Sequence, residues 1–192
     1  QGWDVHYYSA KGDIYVKKFH GESDPLKIVG AVEYWVKVME KRNKLITKAG
    51  AKDFRAVGLK KIGIFVDELG LLNGKLSADK KLEKRWTSAI TGLMGAGASS
   101  GITVVVLSQR GTKDFFLPPS ALVNARDGVV MLGLSADSGD DRRALIPGFE
   151  IPHRSYGTGQ GLAMLVSSGK HWEKPSFYEA PFFVDYGKNK KD

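Results

Sequence analysis

An α/β fold, built on a mostly parallel sheet with helices covering both faces, is what this sequence predicts. Three observations point there. The apolar runs at 62–66 and 102–107 are continuous rather than alternating, the mark of strands buried on both sides. Helical apolar periodicity fills the stretches between such runs. Finally, 192 residues at 42% hydrophobic and 26% charged suit a globular chain with one ordinary core.

The elements follow in order. Trp3 to Tyr8 predicts a short strand that breaks at Lys11-Gly12. A long amphipathic helix comes next, with Ser23 or Asp24 as its cap, Pro25 at the first helical position and Gly50 as its stop. Ile28, Val32, Trp35, Val36, Met39 and Ile46 fall near one face of that helix, while Lys37, Glu40, Lys41 and Lys44 fall away from it. The strand from Ile62 to Val66 runs into Asp67 and Glu68, and a Gly/Asn/Lys loop is expected after it. A second helix, from about Ser77 to Met94, takes Ser77 as its cap and ends at "GAGASSG". "ITVVVLSQR" is a β-branched buried strand, "PPSALVNA" a short helix and "DGVVMLGL" a strand. A charged segment, "SADSGDDRRALI", precedes a final strand pair in "GLAMLVSS" and "APFFVDY". One domain is expected over 1–187, with 188–192 as a disordered tail.

Composition narrows the chemistry. Zero cysteines exclude disulfides and thiolate metal sites, and His6, His20, His153 and His171 lack ligand spacing. No run approaches the roughly 18 apolar residues that would span a bilayer. The net charge of +8, with a pI near 9.5, suits a polyanionic partner such as DNA, or simply solubility.

Ligands of open α/β sheets gather at the carboxyl ends of the strands. Asp67, Glu68, Ser108 and Gln109 are expected at that edge. Four apolar residues followed by Asp-Glu form a Walker B arrangement. In it the aspartate holds magnesium through water, and the glutamate polarises a water for attack on a γ-phosphate. Solvated strand-end acids are the ordinary alternative for an isolated match; the pairing with "VVVLSQR" weakens it.

With these segments together, the chain resembles the FtsK/SpoIIIE-like branch of RecA-like motor ATPases, which includes coupling proteins of conjugative plasmids. "WDVHYYSAKG" is similar to the strand that in this family ends in Asp-Pro-Lys. "SDPLKIVGAVEYWVKVMEKRNKLITKAGAKDF" resembles the family's long helix, "IGIFVDELGLL" its Walker B strand and "SSGITVVVLSQR" its sensor strand. The resemblance implies a RecA-like three-layer αβα sandwich, ATP and Mg2+ as cofactors, and a homo-hexameric ring translocating double-stranded DNA. It assigns Asp67 to magnesium, Glu68 to the attacking water, Gln109 to γ-phosphate sensing, and Arg126 to the neighbouring subunit's nucleotide. Lys11 matches the family lysine after the first strand and is placed with the cofactor-binding residues. Pore-loop matches put Arg142, Arg143, Lys170 and Lys174 against DNA phosphates, although Asp137, Asp140 and Asp141 add acids to the first of those loops.

One departure is large: no Gly-x-x-x-x-Gly-Lys-Ser/Thr occurs, so the sequence lacks a phosphate-wrapping Walker A loop. "GLLNGKLS" is a decoy, with the wrong glycine spacing and the wrong position after Walker B. The expectation is a chain that starts after that loop and is inactive alone, its parent being a cytoplasmic ATPase with any membrane anchor outside this segment. Two other functions stay open: a type VII protein-secretion ATPase, and a non-catalytic module binding nucleic acid or another partner.

Overall fold

A computed structural model describes residues 2–112, 115–166 and 171–181. The chain divides into two compact units, Gln1–Ala125 and Arg126–Asp192. The expected tail and the expected strand over 182–186 lie outside the described residues.

The first unit runs β1 (Asp4–Ser9), α1 (Ile14–Lys18), α2 (Pro25–Lys48), β2 (Ile62–Asp67), α3 (Leu69–Leu76), α4 (Lys80–Ala96), β3 (Ile102–Val106) and α5 (Pro119–Ala125). The strands form a parallel sheet in the order β1-β2-β3. This is the parallel α/β architecture that the continuous apolar runs predict. Helix α2 forms where capping and periodicity place it: the Asp24 carboxylate accepts from the Lys27 amide at 3.0 Å, and Pro25 opens the first turn.

Strand alternation divides the sheet. Ile62, Ile64 and Val66 point to one side and are buried with Ile28, Val32, Trp35 and Met39 of α2 and with Trp86, Ile90 and Leu93 of α4. On the other side Val5, Tyr7, Phe65 and Val105 are only half-buried. Tyr8 anchors β1 in the core through its hydroxyl, which accepts from the Trp35 indole N–H at 2.8 Å.

The two sheet edges differ. At β1 the segment after α1 covers the edge: Tyr7 N–H donates to the Phe19 carbonyl at 3.2 Å, and Ser9 N–H to that of Glu22 at 3.2 Å. Strand β3 pairs with β2 alone among the described residues, so an almost wholly apolar strand forms the other edge.

Two local expectations are corrected. The loop expected after Glu68 is helix α3, whose Leu69, Leu72 and Leu76 are fully buried at i, i+3 and i+7. Burial of that stripe outweighs the weak helix propensity of Gly70, Asn73 and Gly74. Ser77 therefore ends α3, its hydroxyl donating back to the Gly74 carbonyl at 2.8 Å. The cap of α4 is Asp79, which accepts from Lys81 and Leu82 amides at 2.9 and 3.1 Å.

Helices α2 and α4 are joined by a two-pronged pair. Arg85 Nε and Nη2 donate to Glu33 Oε1 and Oε2 at 2.8 and 2.7 Å. The Arg85 guanidinium holds the Glu33 carboxyl below its ordinary range. A depressed carboxyl pKa contributes stability above the unfolded value, lost as pH falls through the folded one. Both side chains are about one-third exposed, which screens the pair. Glu33→Gln is expected to cost about 0.5 kcal/mol at pH 7 and progressively less as pH falls below the ordinary carboxylate range, read from urea midpoints across a pH series.

The second unit contains β4 (Gly128–Leu132), α6 (Leu134–Asp137), α7 (Gly139–Leu145), β5 (Gln160–Leu165), a 3-10 turn (His171–Glu173) and β6 (Ser176–Glu179). Its sheet is antiparallel, ordered β4-β5-β6. Its third strand, Ser176–Glu179, precedes the expected "APFFVDY", whose residues from 182 on lie outside the described residues. The charged segment forms α6 and α7, with Ser138 capping α7 by accepting from the Asp141 amide at 3.3 Å.

Candidate functional site

Asp67 is the last residue of β2, and Glu68 the turn into α3. The β1–β2 register sets Ser9 opposite Asp67 and Tyr7 opposite Phe65, which puts all four on the half-buried face. Asp67 Oδ1 accepts from the Glu68 amide at 2.8 Å, and Oδ2 accepts from the Tyr7 hydroxyl. The same hydroxyl lies 2.9 Å from Asp13 Oδ2. A phenol carries one proton, so it serves one carboxylate at a time. Burial, followed by the Asp67 and Asp13 carboxylates, pushes the Tyr7 phenol well above the usual tyrosine range, which keeps it a donor.

Glu68 is strained. Its φ of 52° and ψ of 46° are left-handed, a conformation costing a non-glycine residue about 1–2 kcal/mol. The turn is held by other groups: Leu69 N–H donates to the Leu107 carbonyl at 3.1 Å, and the Glu68 carbonyl accepts from Leu71 and Leu72 at 2.9 and 3.1 Å. Such over-determined strain concentrates at functional sites. It delivers the carboxylate between two partners, Lys11 Nζ at 3.4 Å from Oε1 and Gln109 Nε2 at 3.5 Å from Oε2.

Helix α3 braces the loops that carry those partners. Lys75 Nζ donates to the Ala10 carbonyl at 2.7 Å, next to Lys11. Asn73 Nδ2 donates to the Phe116 carbonyl at 2.7 Å, and Ser108 Oγ to that of Phe115 at 2.7 Å, fastening the chain after β3. Four of the expected residues, Asp67, Glu68, Gln109 and Lys11, therefore meet at one strand edge. Sequence reasoning missed Tyr7, Ser9, Asp13, Asn73 and Lys75. The leucine stripe of α3 was the available signal for the last two; nothing local marked the others.

Among the described residues no group of three or more His, Asp or Glu side chains could enclose a metal ion. Magnesium does not require one, since it keeps several waters and binds one or two carboxylates plus substrate phosphates. Asp67 fits that role. Each of its oxygens accepts one hydrogen bond and retains a lone pair, and the Ser9 hydroxyl opposite it is fully buried with no partner among the described residues. The residues present thus suit the metal-and-water half of a nucleotide site; nothing in the sequence wraps the phosphates.

The remaining expected residues belong to the second unit. Arg126 donates through Nε and Nη2 to the Ala144 carbonyl at 3.1 and 2.7 Å, closing the end of α7. Arg142 Nη1 reaches the Ile151 and Pro152 carbonyls at 3.3 and 3.5 Å. Arg143 pairs with Asp140 on the helix surface. Lys174 is exposed, and Lys170 lies outside the described residues.

Neither a family model nor a curated protein matches the chain. Solved structures do. The pCW3 conjugation coupling protein TcpA, solved in a monomer form with ATPgS, matches with a TM-score of 0.68 and 18% identity over 96% of this chain and 54% of that one. The two chains share a fold. ATPases 2 and 3 of EssC from Geobacillus thermodenitrificans match with a TM-score of 0.63 and 11% identity, over 96% of this chain and 35% of theirs. At these identities the likeness is one of fold, and it agrees with the RecA-like architecture implied by the FtsK/SpoIIIE-like resemblance. This chain spans about half the length of the first structure and about a third of the second. No helix among the described residues is long and apolar enough to cross a membrane.

Proposed function

We propose that this chain is the distal part of an ATP-driven double-stranded DNA translocase, working as a homo-hexameric ring on the cytoplasmic side of the membrane. The observation that carries this reading is the meeting of Glu68 with Gln109, 41 residues apart, on adjacent strand ends beside Asp67. In this reading Glu68 takes a proton from the attacking water and Gln109 orients that water. Asp67, held by Tyr7 and the Glu68 amide, fixes the water shell of magnesium. When bound, magnesium neutralises charge on the phosphate oxygens. The loop gripping those phosphates comes from outside these 192 residues, on a strand joining the open edge of β3. Arg126 serves a neighbouring subunit's nucleotide, and Arg142, Arg143, Lys170 and Lys174 face DNA in the pore. Phosphate release by the longest native form containing this chain is expected to rise several-fold with duplex DNA. Turnover indifferent to duplex at every concentration would reject the translocase reading.

A second reading, a protein-secretion ATPase, is favoured by the fold shared with EssC and by the Asp140 carboxylate that neutralises Arg143. Stimulation by a secreted polypeptide instead of DNA would select it. The third, a non-catalytic binding module, draws on the missing phosphate loop. It requires that no native form of the protein release phosphate.

A further inference from the structure

The charge of the chain is divided unequally. Gln1–Ala125 holds 20 Lys and Arg against 12 Asp and Glu, whereas Arg126–Asp192 holds nine of each. The whole excess of +8 therefore lies in the first unit, whereas the cations matched to pore loops belong to the second. Much of it lies on α2. Lys37, Lys41, Lys44 and Lys48 follow one another at spacings of four, three and four residues, and all are exposed. That spacing lines them along one face, opposite Val32, Trp35, Met39 and Ile46 in the core.

None of the four has a carboxylate within salt-bridge distance among the described residues, and Glu40 is the one exposed acid between them. A helix C-terminus favours cations in its last turn, which accounts for Lys48 alone. Arg42, on the same stretch, is turned inward to the Lys60 and Ser100 carbonyls, so the row is a surface of lysines, which meet phosphates as point charges. Three turns of helix carry these lysines over about 16 Å, along which a duplex presents about ten phosphate charges.

We propose that the solvent face of α2 is a binding surface for the phosphate backbone of duplex DNA, read without regard to sequence. The proposal stands apart from nucleotide hydrolysis and from the loops of the second unit. An anionic lipid surface offers similar charge, but the apolar face of α2 is already buried in the core, so a membrane would be held by charge alone with no insertion to add to it. The duplex is therefore the better match.

The test is fluorescence anisotropy of a labelled random-sequence duplex titrated with this chain between 50 and 200 mM KCl. With Lys37, Lys41, Lys44 and Lys48 all changed to Gln, affinity near 100 mM salt is expected to fall about tenfold or more. The log–log salt slope should become shallower by about 3–4, at roughly 0.9 for each phosphate no longer neutralised. The same four positions changed to Arg should restore both, which separates charge from folding. Unaltered affinity and slope in the Gln variant overturn the proposal. So does a loss confined to Arg142→Gln, Arg143→Gln and Lys174→Gln, which would leave the loop assignment standing without this surface. Vesicles of phosphatidylserine and phosphatidylcholine form the last arm. Vesicle binding that depends on the lysines, with duplex binding unchanged, also overturns it.

Discussion

Glu68→Gln, placed in a form of the protein that binds nucleotide, is expected to lower turnover by about 10²–10⁴-fold while nucleotide binding persists. The amide keeps the size and polarity of the side chain and removes its capacity to take a proton. Glu68→Gly should lose activity as well, yet it should fold better. At φ 52° glycine relieves left-handed strain, and the two partners given up, Lys11 and Gln109, sit at 3.4 and 3.5 Å, too far to contribute much. After the entropy cost of glycine, a net gain of about 0.5–1 kcal/mol should appear in the urea midpoint. Opposite effects on stability and activity at one residue are what a strained catalytic position requires. Wild-type turnover in Glu68→Gln would remove the residue from the chemistry, and a destabilised Glu68→Gly would mean that the carboxylate holds the turn.

The legible parts of the chain were those where one local signal dominates. Helix α2 could be placed because Asp24, Pro25 and the spacing of Ile28, Val32, Trp35, Met39 and Ile46 all agree. Strands β2 and β3 could be placed because continuous apolar runs fit a buried parallel sheet. The meeting of Asp67, Glu68 and Gln109 was legible for the same reason: Asp67 ends β2, Glu68 follows it, Gln109 lies just past β3, and strand ends meet in a parallel sheet.

What escaped depends on tertiary contacts. Tyr7 reaches Asp67, and Asp13 meets the same hydroxyl, only because β1 lies beside β2 in one register, and no sequence pattern announces that a phenol will face a carboxylate 60 residues away. Helix α3 was hidden by two glycines and an asparagine, which local propensity counts against a helix and a buried leucine stripe overrides. The antiparallel pairing of β4, β5 and β6 could not be read either, because a short apolar run carries no direction.

Gly21→Ala should be the most damaging small substitution in the first unit, and it ties the fold to the site. A Cβ at Gly21 would stand 1.5 Å from the Tyr7 carbonyl oxygen and 2.6 Å from its carbon, both backbone atoms that no rotamer can move. Gly21 belongs to the segment that covers the β1 edge, between the Phe19 and Glu22 carbonyls that accept from Tyr7 and Ser9. Accommodating a methyl group means pulling that segment away, which sacrifices these two hydrogen bonds and strains the neighbouring left-handed His20, whose φ is 50°. A cost of about 3–4 kcal/mol follows, or roughly 10 °C in melting temperature. Gly30→Ala supplies the contrast. Gly30 lies within α2, and a methyl group added there would meet nothing within 4 Å, so the same change should stabilise by about 0.5–1 kcal/mol. Because Gly21 presses on Tyr7 itself, the damage should extend to the Tyr7–Asp67 hydrogen bond. A Gly21→Ala chain that melts with the wild type would show that the edge segment can move away freely, and that Asp67 does not depend on it for its position.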